Sequence, residues 1–143
     1  MMKSLSIRIS FFFLSLFLAA SSGFSEEKPG SNKALKATID PDGIQRVEIV
    51  GGGYFFNPDH IMVKVNVPVE LKVRKEPGMV PHNIVMKSPE AGIEFDVALS
   101  SEPKMILFVP TKTGIFPFYC SKKLLFFESH REKGMEGTLE VVQ

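Results

Sequence analysis

From Ile61 to Val73 the side chains keep a period of two. Ile61, Val63, Val65 and Val67, then Val69, Leu71 and Val73, are apolar, with Lys64, Asn66, Glu70 and Lys72 between them. That period puts alternate residues on opposite faces of a pleated strand and gives no helical stripe. Pro68 divides the run, since it has no N–H to give to a ladder, so two half-buried strands are expected here. The same punctuation continues along the chain. Val47 and Ile49 run into Gly51-Gly52-Gly53, a loose or bulged turn, and Pro77-Gly78 is a turn. His82–Met86 is a short apolar run opened by Pro81, and Met105–Val109 is continuously apolar, as a core strand would be. Pro110–Gly114 is a turn, Ile115–Tyr119 is strand-like, and Leu139 and Val141 alternate with Thr138 and Glu140. The polar connection from Ser88 to Lys104 has room for one short helix. About seven short strands with no long helical period predict an all-β sandwich or barrel. The three glycines are not a phosphate loop, because no Gly-Lys-Ser/Thr and no helix follow them.

The first residues follow a different rule. Lys3 and Arg8 precede an apolar run from Phe11 to Ala20, and small residues follow at Ser21, Ser22, Gly23 and Ser25. This is the order of a secretory signal peptide, with the cut expected after Ser25; the apolar run is too short to span a bilayer comfortably. The expected organisation is a signal peptide at 1–25, a flexible leader at 26–43 rich in charge, Pro and Gly, and one domain at 44–143. Removing 1–25 takes away two basic residues and no acid, so the formal charge of +1 becomes −1. A near-neutral domain gives no sign of a nucleic-acid partner, and no stable membrane anchor is expected after cleavage. The expected compartment is the periplasm.

In an oxidising compartment cysteines usually pair, and this chain has one, Cys120. A leftover thiol implies an intermolecular disulfide, a reactive site or a metal ligand; the competing reading is an inert buried cysteine. Its neighbours favour the metal. His130 and Met135 follow on the same loop, and thiolate, imidazole and thioether are a soft donor set that suits copper better than magnesium, calcium or manganese. Of the other histidines, His82 stands behind Pro81 at the head of a strand, well placed to ligate, whereas His60 begins a strand with no soft donor nearby and reads as structural. Met79 and Met86 flank His82 and read as core or loop residues in preference to ligands, with Met79 a distant reserve thioether.

Three pieces together resemble the cupredoxins, the small blue copper proteins such as plastocyanin and pseudoazurin. They are Pro81-His82-Asn83-Ile84-Val85, Phe118-Tyr119-Cys120-Ser121, and His130-x4-Met135-x-Gly137 with the strand that follows. Tyr54-Phe55-Phe56-Asn57-Pro58 is similar to the family's early strand. The resemblance covers roughly residues 44–143 and implies a Greek-key β-sandwich. It also implies one copper ion held by His82, Cys120 and His130 in a trigonal set, with Met135 as a weak axial ligand and Asn83 tying the ligand loops together.

In familiar members two to four residues separate the cysteine from the second histidine; here nine do, Ser121–Ser129. A short helical insert is expected there, and the axial ligand stays open between Met135 and Glu128. The Leu124–Phe127 run reads as a helical turn closing the end of the core, in preference to an exposed apolar patch beside His130 on which a redox partner docks. Lys122, Lys123, Arg131 and Lys133 read as a solvated rim able to steer an acidic partner. A two-copper site of the oxidase subunit II type needs a second cysteine, which the chain lacks. The implied role is a one-electron carrier, not an enzyme, between transient redox partners such as a cytochrome, an oxidase or a reductase. The alternatives are a copper chaperone that delivers metal to an oxidase, and a metal-free interaction module.

Overall fold

The computed structural model describes residues 34–143. The expected signal peptide at 1–25 and residues 26–33 of the expected leader lie outside the described residues. Eleven strands follow in order: β1 (Leu35–Lys36), β2 (Thr38–Ile39), β3 (Gln45–Gly52), β4 (Phe55–Asn57), β5 (His60–Lys64), β6 (Val69–Lys75), β7 (Asn83–Ser88), β8 (Ile93–Ala98), β9 (Lys104–Phe108), β10 (Gly114–Tyr119) and β11 (Glu136–Val142). They build two mixed sheets. One has the order β1-β5-β11-β10-β7-β8; the other has β2-β3-β6-β9, with β4 paired to β3. The chain crosses between the sheets at β1–β2, β4–β5, β5–β6, β6–β7, β8–β9 and β9–β10, so neither sheet forms alone. This is the expected Greek-key sandwich.

The period-two runs explain the layers. In β6 Val69, Leu71 and Val73 are buried while the residues between them are only partly covered, and Ile61 and Val63 of β5 do the same in the other sheet. The two inner faces meet in one core, where Phe56 of β4 packs edge-on against Phe118 of β10 at 5.3 Å between ring centroids. Gln45 is one of the buried polar residues. Its side chain donates to the carbonyls of Lys64 and Val67 and accepts from the Lys64 N–H, fastening β3 to the turn between β5 and β6. A buried amide is tolerated because its hydrogen bonds are made.

The structure corrects three expectations. Residues 34–43, expected within a flexible leader, add β1 beside β5 and β2 beside β3. Ala37 is buried between them, and Arg46 holds Asp40, Asp42 and Glu70 in one ion-pair cluster. The Ser88–Lys104 connection contains β8, which pairs with β7 along its full length, as well as a single 3-10 turn at Pro89–Ala91. The alternation Ile93, Phe95, Val97 was the available signal. The third correction is the short helical insert. Residues 121–129 form no helix; they make a tongue in which Lys123 bridges Ser129 antiparallel and the Phe127 N–H bonds the Leu124 carbonyl across a turn. The His130 N–H bonds the Lys122 carbonyl at the tongue's base. With both ends pinned side by side, too few residues remain to repay the nucleation of a helix.

Gly137 is fixed by close approach. A Cβ there would overlap the Asp59 carbonyl oxygen and the Phe118 ring. Gly137→Ala is therefore expected to cost about 1–3 kcal/mol of folding stability, read as a lower denaturant midpoint at unchanged slope.

Candidate metal centre

The backbone ladder brings the site together. β10 runs antiparallel to both β7 and β11, so the start of β7, the end of β10 and the start of β11 lie at one end of the sandwich. His82 immediately precedes β7, Cys120 immediately follows β10, and His130 and Met135 lie just before β11. The structure thus gathers the side chains at 82, 120 and 130, which are far apart or awkwardly spaced in sequence. All three are buried, and their donor atoms lie within 4.8 Å of one another. The two Nδ1 atoms are 3.0 Å apart, and Cys120 Sγ lies 3.9 Å from His82 Nδ1 and 3.4 Å from His130 Nδ1. A point equidistant from the three lies about 2 Å from each, the length of a bond from a first-row metal to imidazole. The donor set therefore fits a metal ion in size as well as in chemistry.

Asn83 holds the two ligand-bearing segments in register. Its Oδ1 accepts from the Ser121 N–H at 2.9 Å and from the Cys120 thiol at 3.3 Å. Its Nδ2 donates to Asp96 Oδ1 and to Ser121 Oγ, and its own N–H points at Cys120 Sγ at 3.5 Å. That last contact remains when the sulfur is a thiolate, whereas the bond to Oδ1 is made only by the protonated thiol of the metal-free protein. Met135 is fully buried; the Cys120 N–H bonds its carbonyl, and its own N–H bonds the carbonyl of His130. Its methyl packs toward Gly51, a glycine with no side chain to compete for that space. Glu128 is exposed on the tongue and is not part of the donor group. His60 lies on β5, paired with Glu140, and is not part of the donor group.

Tyr54 is the site residue that sequence reasoning missed. Its ring meets both imidazoles edge-on, at 6.0 Å from His82 and 4.9 Å from His130 between centroids, and the Lys133 ammonium lies over its face at 4.4 Å. It reaches this position through a left-handed backbone, φ 66, just after the three glycines. For a bulky residue that conformation is a strain of about 1–3 kcal/mol, which the packing must offset. The glycine run was the only sign of an unusual backbone here.

Comparison with known proteins places the fold. No family model matches the sequence, and no curated protein matches it. Among solved structures, the metal-binding domain of the Cu(I)-exporting P-type ATPase CopA of Streptococcus pneumoniae D39 superposes with a TM-score of 0.61 at 23% identity, covering 80% of this chain and 100% of that one. Auracyanin A, a blue copper protein of Chloroflexus aurantiacus, gives 0.52 at 16% identity, covering 70% and 100%. The periplasmic domain of cytochrome oxidase subunit II (CoxB) of Bradyrhizobium japonicum gives 0.52 at 14%, covering 78% and 88%. The chain has the cupredoxin fold.

Burial makes the imidazoles of this cupredoxin-like domain reluctant to protonate. His82 is pulled down to about 4, first by loss of solvent and then by the neighbouring His130 and Lys75. His130 is lowered as well, by burial and by Lys133. Both rings are therefore neutral at neutral pH, the form that binds a metal. The sign of the pH effect follows. The unfolded chain takes up a proton at His82 near 6.5 while the folded chain resists to about 4. The stability that neutral His82 supplies is complete above pH 6.5 and drains away as pH falls toward 4. Urea midpoints of the metal-free protein across that range should fall with pH, and His82→Asn should flatten the fall.

Proposed function

We propose that this chain is a mononuclear copper protein of the periplasm that carries single electrons between transient redox partners and is not itself an enzyme. The observation that carries the proposal is the buried triangle of two Nδ1 atoms and one Sγ, with its centre at bonding distance from all three. Copper held by such a set supplies one-electron redox chemistry. The protein's own part is positional. His82 and Cys120 are fixed to the ends of paired strands, Asn83 locks those ends together, and Tyr54 packs against both rings. Side chains held in this way move little when the charge at the centre changes, and that rigidity suits rapid electron transfer. The neighbours of similar fold whose names include copper support the choice of metal, and the N-terminal pattern of basic, apolar and small residues supports the compartment.

A specific observation favours a second reading. The similar domain from S. pneumoniae belongs to a Cu(I) exporter, so a copper-handling role, with metal passed on to an acceptor, uses the same residues. Repeated reduction and reoxidation in the presence of a competing copper chelator separates the two. A carrier keeps its copper through the cycles, and a chaperone gives it up in the reduced state.

The oxidised, copper-loaded protein should show an intense visible charge-transfer band from the thiolate, and Cys120→Ser should abolish it. A band that survives the substitution removes Cys120 from the ligand set and the proposal with it. The axial position is tested separately. With Met135 as the weak axial donor, Met135→Leu keeps the band and raises the reduction potential, because the more positive oxidised ion loses a donor. Glu128→Gln then changes neither. A potential that moves with Glu128 and not with Met135 reverses the assignment.

A further inference from the structure

The tongue between Cys120 and His130 exposes the side chains that the sequence pattern assigned to the core. Leu124, Leu125, Phe126 and Phe127 are 54%, 75%, 100% and 61% exposed. Four consecutive bulky apolar residues at the tip of a projecting turn are unusual on a protein surface unless they meet something. The backbone at the tip is unfavourable too, with Leu125 at φ 47. Neither solubility nor local conformational preference accounts for this sequence. Beside the tongue, Met79 is 100% exposed, in a loop held shut by Lys75 Nζ donating to the carbonyls of Gly78 and Val80. A groove of about 230 Å³ joins the two loops, lined by Met79, Val80, Pro81, Leu124, His130 and the two lysines of the tongue.

Charge is layered behind the apolar tip. Lys122 and Lys123 sit at the tongue's base, directly before Leu124. Of the nearby acids, Glu136 is paired with Arg131; Glu132 accepts from the N–H and hydroxyl of Ser129, keeps its charge and feels Lys123, so Lys122 is the freer of the two lysines. Glu128, on the returning strand, is the opposing charge closest in sequence to the tip. Apolar side chains in front and ammonium groups behind match the order of an anionic bilayer surface, with acyl chains inside and phosphates at the boundary. Shape decides between a bilayer and a protein. Successive side chains around a turn point in different directions, so no single flat partner face covers them, whereas a fluid apolar layer surrounds them all.

We propose that Leu124–Phe127 is a wedge that enters the interfacial layer of an anionic membrane, with Lys122 and Lys123 against lipid phosphates, so that the His130 end faces the bilayer. The contact is reversible and distinct from an anchor. It does not depend on copper.

The chain contains no tryptophan, so a single introduced indole is an unambiguous reporter. In the full chain, Phe126→Trp is compared with Leu107→Trp, an exposed position on β9. The probes are vesicles of phosphatidylcholine with phosphatidylglycerol, and of phosphatidylcholine alone, each with brominated acyl chains as quencher. The indole of Phe126→Trp should shift to the blue and be quenched on the anionic vesicles, while that of Leu107→Trp should not. Adding Lys122→Ala and Lys123→Ala should raise the lipid concentration needed for half-quenching roughly thirtyfold. The result should be the same with and without copper, so failure of the copper reading leaves this test intact. Solvent-like, unquenched emission from the Phe126→Trp protein overturns the proposal and points to a protein partner for the tongue. Equal quenching in the two variants, or equal quenching with and without the anionic lipid, overturns it as well.

Discussion

The structure depends on the carboxamide of Asn83. One buried side chain, at the first residue of β7, makes four hydrogen bonds: to Ser121 N–H, Ser121 Oγ, Asp96 Oδ1 and the Cys120 thiol. An amide has two donors and an acceptor with two lone pairs, so its capacity is fully used in the metal-free protein, where Cys120 keeps its proton. The bonds reach across from the strand that carries His82 to the segment that carries Cys120. They fix the relative position of two donor atoms whose residues lie 38 apart in sequence. A buried polar network that is completely satisfied is rigid; the same network with one partner missing is costly. The geometry at the end of the sandwich is therefore set by neighbours of the donors as much as by the donors.

That rigidity works against the electrostatics of the metal-free protein. Two imidazoles held with Nδ1 atoms 3.0 Å apart share one proton between them at best, and each resists protonation because it is buried. A site built only for stability would not place two such rings in contact beside a thiol. Pre-placing neutral donors removes the cost of gathering them when a cation arrives, and the folded frame bears that cost in advance.

The parts legible in the sequence were those with short-range signatures. Period-two runs such as Val69–Val73 gave the strands, because burial of one face demands alternation. The ligand candidates stood out because a lone thiol, a proline-backed histidine and a thioether are rare residues in a telling order. Less legible were features that depend on long-range pairing. β1 and β2 are two residues each and exist only because β5 and β3 offer open edges. Tyr54 reaches the imidazoles through a left-handed backbone that its own residue type disfavours. The Leu124–Phe127 run departs from the core for a related reason. Hydrophobicity reports a preference for burial but not whether space remains, and Phe118, Met135 and Leu139 already fill that end of the core.

The long Cys120–His130 spacing is reconciled with a compact donor triangle by where the chain is pinned. The His130 N–H bonds the Lys122 carbonyl, the Met135 N–H bonds that of His130, and the Cys120 N–H bonds that of Met135. These contacts close the base of the loop whatever lies beyond it. Extending a pinned loop from about three residues to about nine adds only ~1 kcal/mol of closure entropy, since that cost grows with the logarithm of length. The donors therefore respond to the closed base and not to the residue count between them. Insertion at this point lengthens the surface without disturbing the centre, and the extra residues are free to carry a chemistry of their own.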